Sequence, residues 1–69
     1  MHIQSDFRTQ EIIHWSTIAA NARNDRIQHM REARSRTNAD DRRAWVQIAR
    51  MSHRRRKFAI QTLKWVVGL

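Results

Sequence analysis

The residues with the clearest potential for chemistry are arginines and lysines that recur along the second half of the chain. After Asp41 the sequence holds eight basic residues and no acidic one, whereas residues 1–41 carry six of each sign. The whole formal charge of +8 therefore belongs to the C-terminal segment. Uncompensated positive charge attracts polyanions, so nucleic acid is the first partner to consider.

A helix through this segment, drawn at 100° per residue, places long polar side chains opposite its apolar stripe. Guanidinium groups bind phosphate oxygens in a bidentate manner, and arginine and glutamine also reach base edges. That exposed face comprises Arg43, Gln47, Arg50, Arg54, Lys57 and Gln61. Arg55 and Arg56 flank the apolar side, where their stems can lie along apolar surface. The residues predicted to bind nucleic acid, DNA in preference to RNA, are Arg43, Arg50, Arg54, Arg55, Arg56 and Lys57.

Residue patterns for catalysis, a metal or a cofactor are not found. The four histidines, His2, His14, His29 and His53, are too far apart to form an i, i+4 metal pair, and the chain has no cysteine. Serines have no nucleophile-elbow glycines around them, and there is no glycine-rich phosphate loop. We therefore expect a non-enzymatic protein without cofactor or metal.

The elements that would position the basic residues are two long helices. Proline is absent and the single glycine is Gly68, so helix breakers are missing from the interior. The one plausible break is residues 35–38, where Thr37 or Asn38 can cap the following helix. Ser5 or Asp6 can cap the first. The sequence predicts one all-α domain over residues 1–69, an antiparallel hairpin with helices at about 6–34 and 39–67.

Each predicted helix carries a seam whose members are spaced alternately three and four residues apart, as expected for a stripe that faces a partner helix. In the first helix the seam is Ile12, Trp15, Ala19, Ala22, Arg26, His29 and Ala33. In the second it is Trp45, Ala49, Ser52, Arg56, Ala59, Leu63 and Val66. Folding the hairpin about residues 36–37 brings Ala22 near Ser52, and small residues that face each other there let the helix axes approach closely at mid-hairpin.

A second apolar line at heptad spacing runs along each helix. The residues expected at a dimer interface are Ile13, Ala20 and Ile27 on the first helix, and Met51, Phe58 and Trp65 on the second, with Ala44 in line. Exposed apolar stripes of this extent usually mark an interface. The sequence thus favours a homodimer, two hairpins in a four-helix bundle. The alternative is that Phe58 and Trp65 fold over a monomeric core.

Chain length and composition favour a cytoplasmic protein that gains stability by association. Sixty-nine residues bury a small fraction of their surface, and without cysteine no disulfide can compensate. No secretory signal or transmembrane stretch is evident. Compact helical chains of this size that contain arginine and tryptophan resemble small accessory proteins from the early regions of temperate, lambdoid-type phages. This resemblance in size and composition implies a non-enzymatic regulator of gene expression.

Two other function classes remain open. The chain can be a protein-interaction module that docks onto a larger, acidic host regulator and modulates it. The segment 54–67 also has the composition of a basic amphipathic peptide that lies in a membrane headgroup layer. The seams continue upstream through both helices, which argues against the membrane, because they indicate that this segment already has a protein partner.

Overall fold

The computed structural model describes residues 3–68, with side chains from Asp6 onward, and within them the chain is a two-helix hairpin. Helix α1 spans Ile3–Ser35 and helix α2 spans Ala39–Val67, so the predicted all-α hairpin is confirmed. The Cα atoms extend over 56 × 15 × 10 Å, the shape of a rod one helix thick and two helices wide. A rod of this kind offers two long, flat faces to its surroundings.

The connection between the helices is three residues long, and its last residue, Asn38, is the N-cap of α2. Asn38 has an extended backbone, with φ −80° and ψ 130°, and its side-chain oxygen accepts from the backbone N–H of Asp40 at 2.8 Å and Asp41 at 3.3 Å. Both aspartates lie in the first turn, where the helix dipole favours negative charge. The cap predicted for α2 is therefore confirmed at Asn38.

The start of α1 differs from the prediction. The prediction that Ser5 or Asp6 caps α1 is wrong, because α1 begins at Ile3 and both residues lie within its first turn. At its other end α1 runs one residue further than expected, to Ser35, whose hydroxyl donates to the carbonyl oxygen of Glu32 at 2.8 Å. Polar residues at a helix end allow such extension, because local hydrogen bonds satisfy the backbone there.

The core lies along the predicted seams and is made of small side chains. The buried residues are Ala22, Ala33, Ala49, Ser52, Ala59 and Val66. Ala22 and Ala59 have no exposed surface at all. Arg26 is the exception among the seam residues, since its side chain is exposed. No large side chain of the described residues is fully buried, so close backbone contact, rather than a thick apolar core, holds the helices together.

Aromatic contacts close the hairpin near the connection. The ring of Trp45 lies 5.8 Å from that of His29 and 5.4 Å from the guanidinium carbon of Arg36. Arg36 also pairs with Glu32 at 3.1 Å, and His29 Nδ1 shares a hydrogen bond of 3.3 Å with the buried Ser52 Oγ. These contacts satisfy the polar groups at this part of the seam and fix the register of the helices.

The opposite half of the hairpin is joined by a second set of contacts. Trp15 packs edge-on against Phe58 with ring centroids 5.9 Å apart, and its Nε1–H donates to Glu11 Oε2 at 2.9 Å. Arg8 donates to the carbonyl oxygen of Val67 at 2.6 Å. An arginine at this position satisfies a carbonyl that α2 leaves without a partner at its C-terminal end.

We predict that replacing the α2 cap lowers stability. Asn38→Ala removes the oxygen that accepts from two backbone N–H groups, and should lower the free energy of unfolding by about 1 kcal/mol. Urea unfolding followed by circular dichroism at one protein concentration measures this. Thr37→Ala, at the exposed preceding position, is the matched control and should change little. An equal loss in both variants would contradict the capping role.

We also predict that the seam does not tolerate bulk. Ala59→Leu places three additional carbon atoms where no surface is exposed, which should force the helices apart and lower the free energy of unfolding by about 1–3 kcal/mol. Ala20→Leu is the control, because Ala20 is exposed and the two residue types have similar helix propensity. The same urea experiment checks both, and a neutral Ala59→Leu would refute close packing at this point.

Candidate nucleic-acid interface

The buried seam divides the surface of α2 into two sides. Because successive helical residues are 100° apart, Phe58 and Ile60 point to opposite sides of the fully buried Ala59. Phe58 packs on Trp15, whereas Ile60 lines a groove with Ala20. We call the side of Phe58 the aromatic face; it carries Glu11, Trp15, Asp25, Met51, Arg55, Phe58 and Trp65. We call the other side the basic face; it carries Arg42, Arg43, Arg50, Lys57 and Lys64, and Arg54 lies between the two sides, at the outer edge of α2.

Three shallow grooves run along the basic face, and none has a carboxylate in its lining. The first, near the connection, is lined by Ala39, Arg42, Arg43, Val46, Gln47 and Arg50. The second is lined by His53, Arg56, Lys57, Ile60, Gln61 and Lys64. The third lies between the helices and shares Arg56 and Ile60 with the second. Because no carboxylate lines these grooves, most of the positive charge along them is not neutralised locally.

The cations of the basic face are regularly spaced. Arg43, Arg50, Lys57 and Lys64 follow one another at intervals of seven residues, about 10.5 Å along the helix. Arg54 lies between Arg50 and Lys57 on the outer surface of α2. The line of four is about 32 Å long, so a polyanion lying along α2 meets a cation at each second turn of the helix.

Ion pairs separate the predicted binding residues into two groups. Arg55 donates to Asp25 Oδ2 at 2.7 Å on the aromatic face, and Arg43 lies 3.9 Å from Asp40 in a largely exposed pair. Such exposed pairs contribute about 0–1 kcal/mol, so Asp40 holds Arg43 only weakly. Among the described side chains, Arg50, Arg54 and Lys57 form no ion pair. These three are therefore the cations best able to meet a phosphate.

Arg55 and Arg56 were predicted to extend the binding surface, and the structure places them differently. Arg55 faces away from Arg50 and Lys57 and already has a carboxylate partner. Arg56 is half-buried between the helices, where it lines two grooves of the basic face. Arg56 thus borders the basic face, and Arg55 lies outside it.

Two cations outside the set predicted from the sequence belong to the basic face. Lys64 lines the second groove with Lys57, seven residues away, and Arg42 lines the first groove with Arg43. The heptad interval from Lys57 to Lys64 was visible in the sequence. The position of Arg42 was not, because it depends on how α2 packs against α1.

The six residues predicted for a dimer interface lie on different sides of the hairpin. Met51, Phe58 and Trp65 share the aromatic face, with 67%, 61% and 67% of their surface exposed. Ala20 lines the groove that holds Ile60 and Arg56. Ile13 and Ile27, each seven residues from Ala20, follow it on that side of α1, and both are exposed. One two-fold interface can cover one of these lines but not both.

Other kinds of site are not assembled in the described part of the chain. No group of three or more potential metal ligands converges among the residues for which side chains are described, and His2 lies outside them. Neither described helix has the length and apolar character needed to cross a membrane.

Comparison with protein-family models, with curated proteins and with solved structures finds no match to this chain. The resemblance to phage accessory proteins therefore stays a prediction.

Proposed function

We propose that this chain is a small, non-enzymatic regulatory protein of the cytoplasm that binds double-stranded nucleic acid, DNA in preference to RNA, along the basic face of α2. The observation that carries the proposal is the set of acid-free grooves lined by evenly spaced cations. Arg50, Arg54 and Lys57 are its central contacts, and Arg42, Arg43 and Lys64 extend it. The contacts are to phosphate oxygens, so they position the protein without reading sequence.

The position of the aromatic side chains favours a duplex over a single strand. Single-stranded binding combines cations with aromatic rings on which unpaired bases stack. Here Phe58 and Trp65 lie on the aromatic face, away from Arg50 and Lys57, and the grooves of the basic face have no Trp or Phe in their lining. A duplex needs no stacking platform, because its phosphates are presented on the outside.

An acidic protein is the second candidate partner, and it is favoured by the exposed apolar side chains of Met51 and Trp65. A protein partner at a packed interface would depend on such apolar anchors, and its binding would respond mildly to salt. A membrane surface is the third candidate. An interfacial peptide is largely disordered until lipid is added, so a helical, cooperatively unfolding protein in plain buffer would count against it.

We predict that the triple variant Arg50→Glu, Arg54→Glu, Lys57→Glu keeps its helicity and loses nucleic-acid binding. All three positions are exposed, so circular dichroism should match that of the parent. For the parent, log affinity for duplex DNA should fall by about 0.9 per phosphate contact per unit of log salt, so about four contacts weaken binding by about two orders of magnitude over a fourfold rise in salt. Fluorescence anisotropy with duplex DNA, single-stranded RNA and anionic vesicles measures this.

A pair of adjacent arginines supplies the matched control. Arg54→Gln and Arg55→Gln make the same chemical change one residue apart, but only Arg55 is paired with Asp25. We expect Arg54→Gln to reduce the salt dependence by about one phosphate contact, and Arg55→Gln to leave it nearly unchanged. If the triple variant stays folded and binds duplex DNA as well as the parent, the proposal is wrong, and a mild salt response would favour the acidic protein.

A further inference from the structure

The aromatic face is apolar, exposed and without a partner. Met51, Phe58 and Trp65 each expose more than half of their surface and recur at heptad spacing along α2. Trp15 of α1 extends the patch through its contact with Phe58. A line of exposed apolar side chains of this kind on a small protein marks a surface that is covered in the functional state.

The accessible surface of the hairpin is large enough for one face to be buried against a second copy of the chain. Its accessible surface is 5774 Å², whereas a compact monomer of 8.3 kDa exposes about 4,600 Å². The radius of gyration is 16.1 Å, against about 11 Å for a compact domain of this length. The excess is about 1,200 Å² per chain, and specific dimers bury about 1,200–2,000 Å² in total. One face of the rod therefore supplies enough area.

Charge decides which face meets the second copy. The aromatic face carries both signs, Glu11 and Asp25 against Arg55, so two such faces can meet with opposite charges in contact. The basic face carries cations without acids in its grooves, and two such faces would repel each other. The same carboxylates disfavour an anionic membrane as the occupant of the aromatic face.

This pairing fixes where the two basic faces lie. The grooves of the basic face, which Lys57, Arg56 and Ile60 line, and the contact of Phe58 with Trp15 lie on opposite sides of the buried seam in a hairpin that is one helix thick. A two-fold axis that joins the aromatic faces therefore turns the basic faces outward, on opposite sides of the bundle. A single straight duplex cannot lie along both.

We infer that the protein is a homodimer joined through its aromatic faces, and that it bridges two nucleic-acid duplexes, one on each outward basic face. The inference rests on the proposed function for the duplex contact. The dimer itself does not depend on it, so the two parts can be tested separately.

The dimer is tested by light scattering on the full chain. The parent should have the mass of two chains, and Phe58→Asp should have the mass of one. Ile13→Asp is the matched control, because Ile13 and Phe58 are equally exposed, at 62% and 61%, but lie on opposite sides; it should remain a dimer. Met51→Asp serves as a second test, since Phe58 also packs on Trp15, and circular dichroism verifies that each variant is folded.

Bridging is tested with two duplexes of unrelated sequence, one immobilised on beads and one fluorescent. The parent and Ile13→Asp should retain the fluorescent duplex on the beads. Phe58→Asp and Met51→Asp should bind the immobilised duplex and lose at least tenfold of the retained fluorescence. A parent that is monomeric, or a dimer that binds one duplex without retaining the second, overturns the inference. Absence of any duplex binding overturns both bridging and the proposed function, while the light-scattering result still decides the dimer.

Discussion

The close contact between two lines of small side chains is the constraint on which the rest of this structure depends. Ala22 and Ala59 are completely buried, and Ala49 and Ser52 nearly so. With so little volume between them, the helices leave no room for a large side chain at these four positions, and the large seam residues Trp15 and Trp45 are only half-buried. Met51, Phe58 and Trp65 lie outside the seam, where the hairpin leaves most of their surface exposed. The exposed apolar surface is thus a direct consequence of the tight seam.

The two sides of the hairpin also differ in charge. On the aromatic face, Asp25 of α1 neutralises Arg55 of α2. On the basic face α2 has no acidic residue from Arg42 onward, so its cations stay available. One hairpin therefore has a face with unpaired cations and a face with apolar side chains beside an internal ion pair. The two faces lie on different sides of the buried seam.

The polar groups within the seam stabilise one register of the helices. Ser52 and His29 are joined by a hydrogen bond, and the ring of His29 lies against Trp45. Alanine contacts alone specify register weakly, since one alanine replaces another with little loss. A hydrogen bond across the seam, together with the stacked rings, would be broken by a shift of one turn. These contacts therefore fix where the basic residues of α2 lie along α1.

The sequence by itself determined the two helices, their connection and the residues between them. Absence of proline and the cap at Asn38 set the element boundaries near the connection, and the three-and-four spacing identified the buried seam. The start of α1 could not be predicted in this way, because a polar residue near a chain end can cap a helix or lie within it. Helical periodicity places each residue around the axis of its own helix. It does not say which sides of two helices come together, because that depends on their packing. Only the tertiary structure could therefore place Arg55 beside Asp25, add Arg42 to the basic face, and separate Ile13 and Ala20 from Phe58 and Trp65.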